Sequence, residues 1–237
     1  MQLIYLAAGR GSRLPKKFRN FPKCLAKIKG ISVFDYQTDF FKQFKNKIIV
    51  TGYKSKTLKK YIKEKNFYEI KNYNYKSTNM VHSMFLASKF INQDVVICYG
   101  DILFKKKIIG KISQKGNVMP VYTKWLWLWK KRMKKEMIKK DAENLTLYKN
   151  TIKSIGDKIQ KKLPKYQYMG IFKVDLKTFK KINHYYKKLN NKKIDMTNFL
   201  NLCIKERIIT IKIKKYSDQW FEIDTYQDIK LATKLIR

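Results

Sequence analysis

The residues with the clearest capacity for chemistry lie near the N-terminus, in a loop rich in glycine and arginine. An apolar run over residues 3–6 gives way to small residues, then to Gly9, Gly11 and basic side chains. The N–H groups and cations of such a loop can bind a polyphosphate. The loop has neither the spacing of a P-loop nor the third glycine of a dinucleotide-binding fingerprint. The pattern therefore predicts a nucleotide site that belongs to neither a P-loop NTPase nor a dehydrogenase.

The order of these residues resembles the N-terminal signature of the sugar-phosphate and choline-phosphate nucleotidyltransferases, L-A-A-G-x-G-x-R-L followed by P-K. Residues 6–14 and the pair Pro22-Lys23 match that signature. From the residues alone, a strand-to-helix turn with incidental basic side chains remains an alternative. The resemblance implies that Lys23 and Arg13 act in catalysis. It also implies a nucleotide-binding set made of Leu6, Ala7, Ala8, Gly9, Gly11 and Ser12.

Two aspartates are candidate ligands for Mg²⁺. Asp101 follows the apolar run 95–98, so it lies at the end of a predicted strand, where it could bind the ion or cap a helix beginning near Phe104. Residues 220–228 resemble the closing motif W-x-E-I/V-D-T-x-x-D-L of the same family. The resemblance implies that Asp101 and Asp224 hold the metal. An N-cap of the last helix is the alternative role of Asp224.

Three further residues extend the predicted site. Glu222 alternates with Asp224 along a strand, so both side chains point to one face, and Glu222 could reach the metal or the cation of an acceptor. Asn79 and Ser83 open a predicted helix and resemble the family's N-x-x-x-S-L segment, which borders the nucleotide, with Met84 in place of the leucine. Their alternative roles are an N-cap and a serine on the helix surface.

The second half of the chain carries aromatic and acidic motifs. The segments W-L-W-L-W, D-A-E, I-G-D-K and Q-Y-M-G follow one another in this order. They resemble the branch of the family that contains the phosphocholine cytidylyltransferases and relatives that act on phosphonates or other small phosphorylated amines. Aromatic rings beside carboxylates bind organic cations through cation–π contact and charge pairing. The predicted acceptor-binding residues are Trp129, Asp141, Glu143, Tyr168 and Glu222.

The tryptophan run also has a structural interpretation. Trp125 and Trp127 are predicted to be core residues rather than ligand contacts. If the run is helical, Trp125 and Trp129 share a face from which Trp127 is excluded. Residues 123–170 are predicted to form a lid or small acceptor-binding subdomain within a single domain, 1–237.

The elements that position these residues follow an alternating pattern. Strands are predicted near 2–6, 47–51, 67–70, 94–99 and 117–122, with helices near 32–45, 55–65, 80–91 and 104–113. Later strands are predicted near 143–148, 151–155, 166–174, 208–213 and 220–223, and later helices near 176–186, 196–207 and 225–236. The alternation predicts an α/β fold with a doubly wound, Rossmann-like sheet that is mixed but mostly parallel. Ligands of such sheets bind outside the carboxyl ends of the strands, where the glycine loop lies.

Composition limits the classes of partner. The chain has 237 residues and a formal net charge of +38, which raises the alternative of an α/β protein that binds nucleic acid. The lysines are spread along the whole chain, as AT-rich codon usage would produce, so a solvated basic surface is predicted instead. Three isolated cysteines favour a reducing cytoplasm. No apolar run approaches the roughly 18 residues that a membrane helix needs.

These observations and the resemblance together predict a CTP-dependent cytidylyltransferase with Mg²⁺ as cofactor. It would transfer CMP to the phosphate or phosphonate of a small cationic amine such as phosphocholine. Phosphoglutamine and 2-aminoethylphosphonate, in the decoration of surface polysaccharides, are alternative acceptors. A sugar 1-phosphate is disfavoured, because polyols need many neutral hydrogen-bonding groups. A monomer and a homodimer are both compatible with the sequence.

Overall fold

The structure of the protein is a computed structural model that describes residues 1–159 and 162–236, without the side chain of Lys17. The strands are β1 (Gln2–Ala7), β2 (Lys27–Ile28), β3 (Ile31–Ser32), β4 (Lys47–Thr51), β5 (Tyr68–Lys71), β6 (Val95–Tyr99), β7 (Ile102–Phe104), β8 (Val118–Tyr122), β9 (Glu143–Tyr148), β10 (Thr151–Lys158), β11 (Gln167–Tyr168), β12 (Ile171–Val174), β13 (Lys212–Tyr216) and β14 (Trp220–Glu222). The α-helices are α1 (Val33–Thr38), α2 (Lys59–Glu64), α3 (Met80–Leu86), α4 (Lys107–Ile112), α5 (Trp125–Arg132), α6 (Lys135–Asp141), α7 (Leu176–Leu189), α8 (Met196–Lys205) and α9 (Tyr226–Leu235).

The main sheet has the strand order β5-β4-β1-β6-β12-β8-β13-β10-β9, with β11 paired to β8. Its first four strands are parallel to one another. Strand β12 runs antiparallel to β6 and β8, and β8 is again parallel to β13. A mixed sheet with helices in the connections confirms the predicted α/β, Rossmann-like class.

Strand β1 is the centre of the parallel half of the sheet. Leu3, Ile4 and Tyr5 are fully buried, because neighbouring elements cover both faces of a parallel strand. In the parallel ladder between β1 and β6, Leu6 lies opposite Tyr99. The loops that follow β1 and β6 therefore leave the sheet at the same edge, which is the position predicted for a ligand site.

The helices predicted near 32–45 and 80–91 end at Thr38 and Leu86, and short 3₁₀ turns follow them. Two further elements differ from the prediction made from sequence. The predicted helix near 104–113 begins later, at α4, because residues 102–104 form β7 and pair with β14. The strand expected at 208–213 lies at 212–216, where β13 pairs in parallel with β8. Both differences arise from pairing with strands that are distant in sequence. Local apolar patterns cannot reveal that pairing.

The segment 123–170 contains α5, α6 and the hairpin formed by β9 and β10. The hairpin extends the main sheet, since β10 pairs with β13, and α5 packs against α9. The function of this segment as a lid stays a prediction. Within the described ranges, no helix combines the length and apolar character that crossing a membrane requires.

The helical period of α5 places two of its tryptophans on a buried face and the third on an exposed face. Trp125 and Trp129 are buried and in contact, with ring centroids 5.8 Å apart, which agrees with the predicted shared face. Trp127 is 50% exposed, so the prediction that it is a core residue is wrong. A side chain two positions away lies on the opposite side of a helix, and there Lys131 Nζ approaches the Trp127 ring to 5.1 Å.

Candidate active site

The loop after β1 is shaped by a glycine and braced by an arginine. Gly11 has φ +64°, a left-handed conformation that favours glycine, and its carbonyl accepts a 3.0 Å hydrogen bond from the N–H of Leu14. Arg19 donates to the carbonyls of Leu14 and Ser12, each at 2.6 Å. These contacts fix the curvature of the loop at the edge of a cavity, where the side chain of Arg13 is 61% exposed.

Lys23 bridges two carboxylates. It begins a short 3₁₀ turn directly after Pro22. Its Nζ lies 2.6 Å from Asp101 Oδ2 and 2.6 Å from Asp224 Oδ1. Burial acts to lower the pKa of Lys23, but the two carboxylates outweigh it and raise that pKa above its ordinary value. Lys23 is therefore a cation at the junction of the two predicted metal ligands.

Three acids converge at this junction. One carboxylate oxygen from each of Asp101, Glu222 and Asp224 lies within 4.8 Å of the other two. The pairing of β7 with β14 brings them together: Ile102 lies opposite Glu222, and Ile223 N–H donates to Asp101 O at 2.8 Å. Acids far apart in sequence therefore meet because two short strands pair.

The charges of these acids depend on their neighbours. Burial and the nearby charges of Asp224 and Asp101 raise the pKa of Glu222 to about 8. For Asp224, burial acts to raise the pKa, but Lys23 and Arg13 outweigh it and lower the pKa below its ordinary value. Asp101 Oδ1 is buried and has no hydrogen-bond partner within the described residues. Three grouped carboxylates, one with an unused oxygen, form a donor set that fits a hard divalent cation such as Mg²⁺.

A first cavity of about 390 Å³ opens between the glycine loop and the acids. All the residues predicted to bind the nucleotide line it, together with Arg13, Lys23, Asp101, Glu222 and Asp224. Its lining also includes neutral polar side chains. These are Asn72, Tyr75, Thr78, Asn79 and Ser83. Asn79 caps α3, whereas Ser83 is buried and lines the cavity rather than lying on the helix surface. The lining of this cavity thus combines charged and neutral polar side chains.

A second cavity of about 220 Å³ adjoins the first and shares Arg13, Glu222 and Asp224 with it. Every residue predicted to bind the acceptor lines this second cavity, which places Trp129, Asp141, Glu143, Tyr168 and Glu222 around one space. The sequence analysis missed further lining residues, among them Gln167, Asp195 and Thr197. Two cavities that meet at a cluster of acids have the layout required for transfer between two bound molecules.

Glu143 is held in place from two sides. Its carboxylate accepts a hydrogen bond from Thr197 Oγ1 at 3.0 Å, and its backbone carbonyl accepts one from Gln167 Nε2 at 2.6 Å. Burial raises the pKa of Glu143, although the hydrogen bond from Thr197 opposes that rise. Asp195 Oδ1 also lies 3.1 Å from Thr197 Oγ1, so the two acids share the single proton of this hydroxyl.

Trp129 and Arg132 form a packed pair beside the second cavity. The Arg132 guanidinium lies 4.6 Å from the Trp129 ring centroid, and Trp220 stacks parallel to that ring at 5.8 Å. Trp129 Nε1 donates to Asp141 at 2.8 Å. Trp129 therefore positions Asp141, and the cation over its ring in this structure is part of the protein. A contact between Trp129 and an acceptor stays a prediction.

Arg132 is the residue beside the acids of the site that sequence reasoning missed most clearly. Its side chain is 5% exposed and lies 2.8 Å from Asp228, 3.7 Å from Glu222 and 3.9 Å from Asp224. Burial acts to lower the pKa of Arg132, but Asp228 and Glu222 outweigh it and raise that pKa. The sequence does contain a signal that could have identified Arg132, because only six of the 55 basic residues are arginines. A rare arginine beside a tryptophan run suggests a specific carboxylate partner.

Comparisons with known proteins agree with this geometry. No family model matches the chain. The CTP:phosphoglutamine cytidylyltransferase of Campylobacter jejuni is 32% identical to it over 98% of this chain and 98% of that protein. The inositol-1-phosphate CTP transferase from T. maritima superposes with a TM-score of 0.79 at 18% identity, covering 98% of this chain and 95% of that one. The CTP:phosphocholine cytidylyltransferase from Streptococcus pneumoniae superposes with a TM-score of 0.78 at 18% identity, covering 100% of this chain and 99% of that one.

The two solved structures, at this low identity, establish the fold. The relative from Campylobacter jejuni does more, because its similarity extends over nearly the full length of both chains. The match includes the part of the chain that carries the acceptor-side motifs as well as the N-terminal signature. The chain therefore belongs to the sugar-phosphate and choline-phosphate nucleotidyltransferases, enzymes of the transferase class, in their cytidylyltransferase branch.

Proposed function

We propose that this enzyme transfers CMP from CTP to the phosphate or phosphonate of a small cationic amine and releases pyrophosphate. The observation that carries the proposal is the meeting of two cavities at Asp224 and Glu222. The first cavity is lined by charged groups that suit a triphosphate and by neutral polar groups that suit a base. The second cavity opens on the same acids, so an acceptor bound there would face the α-phosphate.

The acids of the chain support a cationic acceptor. The chain has 17 acidic residues against 55 basic ones, yet six of the 17 line the two cavities. Three of these six, Asp141, Glu143 and Asp195, line only the second cavity. Carboxylates concentrated in one cavity of a strongly basic protein favour a ligand that carries positive charge. A sugar phosphate, whose sugar part carries no positive charge, would leave these carboxylates without a cation from the ligand.

Phosphoglutamine is the first acceptor to test, because the relative that matches this chain over 98% of its length is named for it. Its ammonium group can donate hydrogen bonds to Glu143 and Asp141. Phosphocholine is the second, since a quaternary ammonium would have to rely on aromatic faces. In this structure Arg132 already covers Trp129, so such a cation would have to contact another aromatic residue of the lining, such as Tyr168.

The reaction requires positioning and charge neutralisation more than proton transfer. An anionic oxygen of the acceptor attacks the α-phosphorus in line; the new P–O bond forms as the bond to the β-phosphate oxygen breaks, and pyrophosphate leaves with that electron pair. Lys23 would stabilise the developing charge at the α-phosphate. Arg13 and the N–H groups of the loop 9–12 would hold the departing pyrophosphate. No side chain needs to act as a strong base, because the nucleophile is already an anion.

Asp101, Asp224 and Glu222 would hold Mg²⁺, which neutralises phosphate charge when it is bound. The fit rests on their converging oxygens and on the unpartnered Asp101 Oδ1. We expect EDTA to abolish pyrophosphate release and excess Mg²⁺ to restore it. We also expect Asp224→Asn to raise the Mg²⁺ concentration that gives half-maximal rate, with Asp218→Asn, outside the site, as the control. Full activity in EDTA would contradict the metal assignment.

A pyrophosphate-release assay with CTP and Mg²⁺ tests the proposal directly. The acceptors to compare are phosphoglutamine, phosphocholine, phosphoethanolamine, 2-aminoethylphosphonate and glucose 1-phosphate. We expect turnover with at least one amine and none with the sugar phosphate. Glu143→Gln should raise the KM for the amine more than the KM for CTP. Preferential turnover of glucose 1-phosphate would overturn the proposed acceptor class while leaving the nucleotidyltransferase assignment intact.

A further inference from the structure

A series of four side chains connects the start of helix α9 to the wall of the second cavity. It begins at Asp228, which is buried and accepts hydrogen bonds at Oδ2 from the N–H groups of Asp224 at 3.1 Å and Thr225 at 2.8 Å. Arg132 Nε donates to the other oxygen of Asp228 at 2.8 Å. One buried carboxylate therefore ties the backbone of Asp224, a proposed metal ligand, to Arg132.

The series continues through an indole ring. The Arg132 guanidinium lies 4.6 Å from the ring centroid of Trp129, and Trp129 Nε1 donates to Asp141 Oδ2 at 2.8 Å. Trp129 and Asp141 both line the second cavity, whereas Arg132 lines neither cavity. An effect of Arg132 on a bound acceptor would therefore be transmitted by the residues that Arg132 contacts.

Asp141, the last member of the series, depends on this single anchor. It is the final residue of α6, and among residues 1–159 and 162–236 the Trp129 N–H is the one hydrogen-bond donor to its carboxylate. A carboxylate without other partners can change rotamer, and a charge-assisted hydrogen bond from a fixed ring selects one of them. The orientation of Asp141 therefore depends on how firmly the Trp129 ring is held.

Arginine suits the middle of this series better than lysine does. The planar guanidinium can lie against an aromatic ring while its N–H groups pair with a carboxylate, and an ammonium group has no such plane. Arg132 makes both contacts at once, with Trp129 and with Asp228. Its charge can be kept in a lysine variant while the contact between the two planes is lost.

We propose that Arg132 is a positioning residue for the acceptor. Braced by Asp228, it holds Trp129 so that Asp141 meets the cation of the acceptor at a fixed place relative to Asp224. This inference rests on the proposed transfer of CMP to a small cationic amine. A fixed place for the cation lowers the entropic cost of binding and keeps the attacking oxygen in line with the α-phosphorus.

Steady-state kinetics with CTP, Mg²⁺ and either phosphoglutamine or phosphoethanolamine test the inference. Arg132→Lys keeps the positive charge beside Asp228 but loses the planar contact with Trp129. We expect kcat/KM for the amine to fall about tenfold or more, as for a weakened hydrogen bond to a charged group, while the KM for CTP changes less than about twofold. Trp129→Phe, which keeps a ring but removes the N–H, should give the same division between the two substrates.

A double variant and a matched pair on the same helix separate positioning from a general loss of stability. Because both substitutions act on one series, Arg132→Lys/Trp129→Phe should lower kcat/KM for the amine no further than the stronger single substitution. On the other side of α5, Lys131 Nζ lies 5.1 Å from the Trp127 ring, and neither residue lines the two cavities. Lys131→Met and Trp127→Phe should therefore leave the kinetic constants unchanged.

The outcomes separate this inference from the function on which it rests. Equal losses for the amine and for CTP, or losses that multiply in the double variant, would overturn the positioning role and leave Arg132 a structural residue. If thermal melting shows that Arg132→Lys is unfolded, an unchanged kcat/KM for the amine in Trp129→Phe would overturn it alone. Wild-type turnover of neither amine would overturn the proposed acceptor class, and this inference with it.

Discussion

Lys23, Asp101 and Asp224 form a cluster in which each charge depends on the others. Two buried carboxylates this close would repel each other, and Lys23 lies 2.6 Å from both. The lysine thus supplies positive charge at the place where the substrate phosphates and Mg²⁺ are proposed to bind. Its role in folding and its proposed role in catalysis have the same electrostatic origin.

Replacement of Lys23 or Asp101 in this cluster should stop turnover. We expect Lys23→Ala or Asp101→Ala to lower the rate of pyrophosphate release at least about 100-fold, because each removes charge stabilisation at the reacting phosphate. Lys27→Ala, an exposed lysine in the neighbouring strand, is the matched control. Circular dichroism should show both inactive variants folded. Substantial activity in either one would contradict the roles assigned here.

At the scale of secondary structure, the site depends on contacts between elements that are distant in sequence. Arg132, on α5, pairs with Asp228, which completes the capping box of α9 with Thr225. The same guanidinium lies near Glu222 on β14. One arginine thus connects the segment that carries the acceptor-side residues to the strand and helix on either side of Asp224.

Loss of this connection should destabilise the protein. Arg132→Met leaves Asp228 buried without its cation, so we expect the free energy of unfolding to fall by about 3–5 kcal/mol. Denaturation in urea measures the effect, with the exposed Lys131→Met as control. The double variant Arg132→Met/Asp228→Asn should recover part of the loss, because it removes the unpaired charge. Strictly additive effects of the two substitutions would show that the pair does not act as a unit.

The turn between β6 and β7 likewise depends on a contact with a segment that is distant in sequence. A Cβ at Gly100 would lie 2.7 Å from the carbonyl oxygen of Leu6, so the two strand ends approach more closely than a larger residue permits. Gly100→Ala should therefore lower stability by about 1–3 kcal/mol and displace Asp101, with loss of activity. Gly110→Ala, in helix α4 with no atom within 4 Å of the added carbon, should instead leave stability unchanged or raise it. Equal thermal stability of the two variants would contradict the close-approach argument.

At the scale of the whole molecule, charge is distributed unevenly. The chain has a net charge of +38, yet six of its 17 acidic residues line the two cavities of the site. A positive exterior would attract a polyanion from a distance, and the local carboxylates would then bind the proposed metal and amine. Long-range attraction and local recognition thus come from charges of opposite sign.

This arrangement makes substrate capture sensitive to salt. We expect kcat/KM for CTP to fall steeply as KCl rises from about 0.05 to 0.5 M, because screening shortens the reach of the field. The kcat at saturating CTP should change much less, since the buried pairs are screened less. Initial rates over a matrix of salt and CTP concentrations measure both. A kcat/KM that does not depend on salt would show that the net charge has no part in capture.

Much of the fold, and the meeting of the predicted nucleotide-binding residues around one cavity, could be predicted from sequence, because the information there is local. A buried apolar strand that runs into Gly9 and Gly11 predicts a loop at the edge of the sheet, where a ligand can bind. The alternation of strands and helices predicted the parallel half of the sheet. The spacing of Glu222 and Asp224 predicted that their side chains share a face, which follows from the period of any strand.

The remaining features were decided only by the tertiary structure, because they depend on pairing between distant segments. Strand β7 forms only because β14 lies beside it, and this pairing brings Asp101 to Glu222 and Asp224. Arg132 pairs with Glu222, and Asn72 donates a hydrogen bond to Ser83, across stretches of sequence too long for a local pattern to predict. The sequence by itself determined which chemical groups are available and on which faces they lie. Long-range strand pairing and burial determined which of those groups meet.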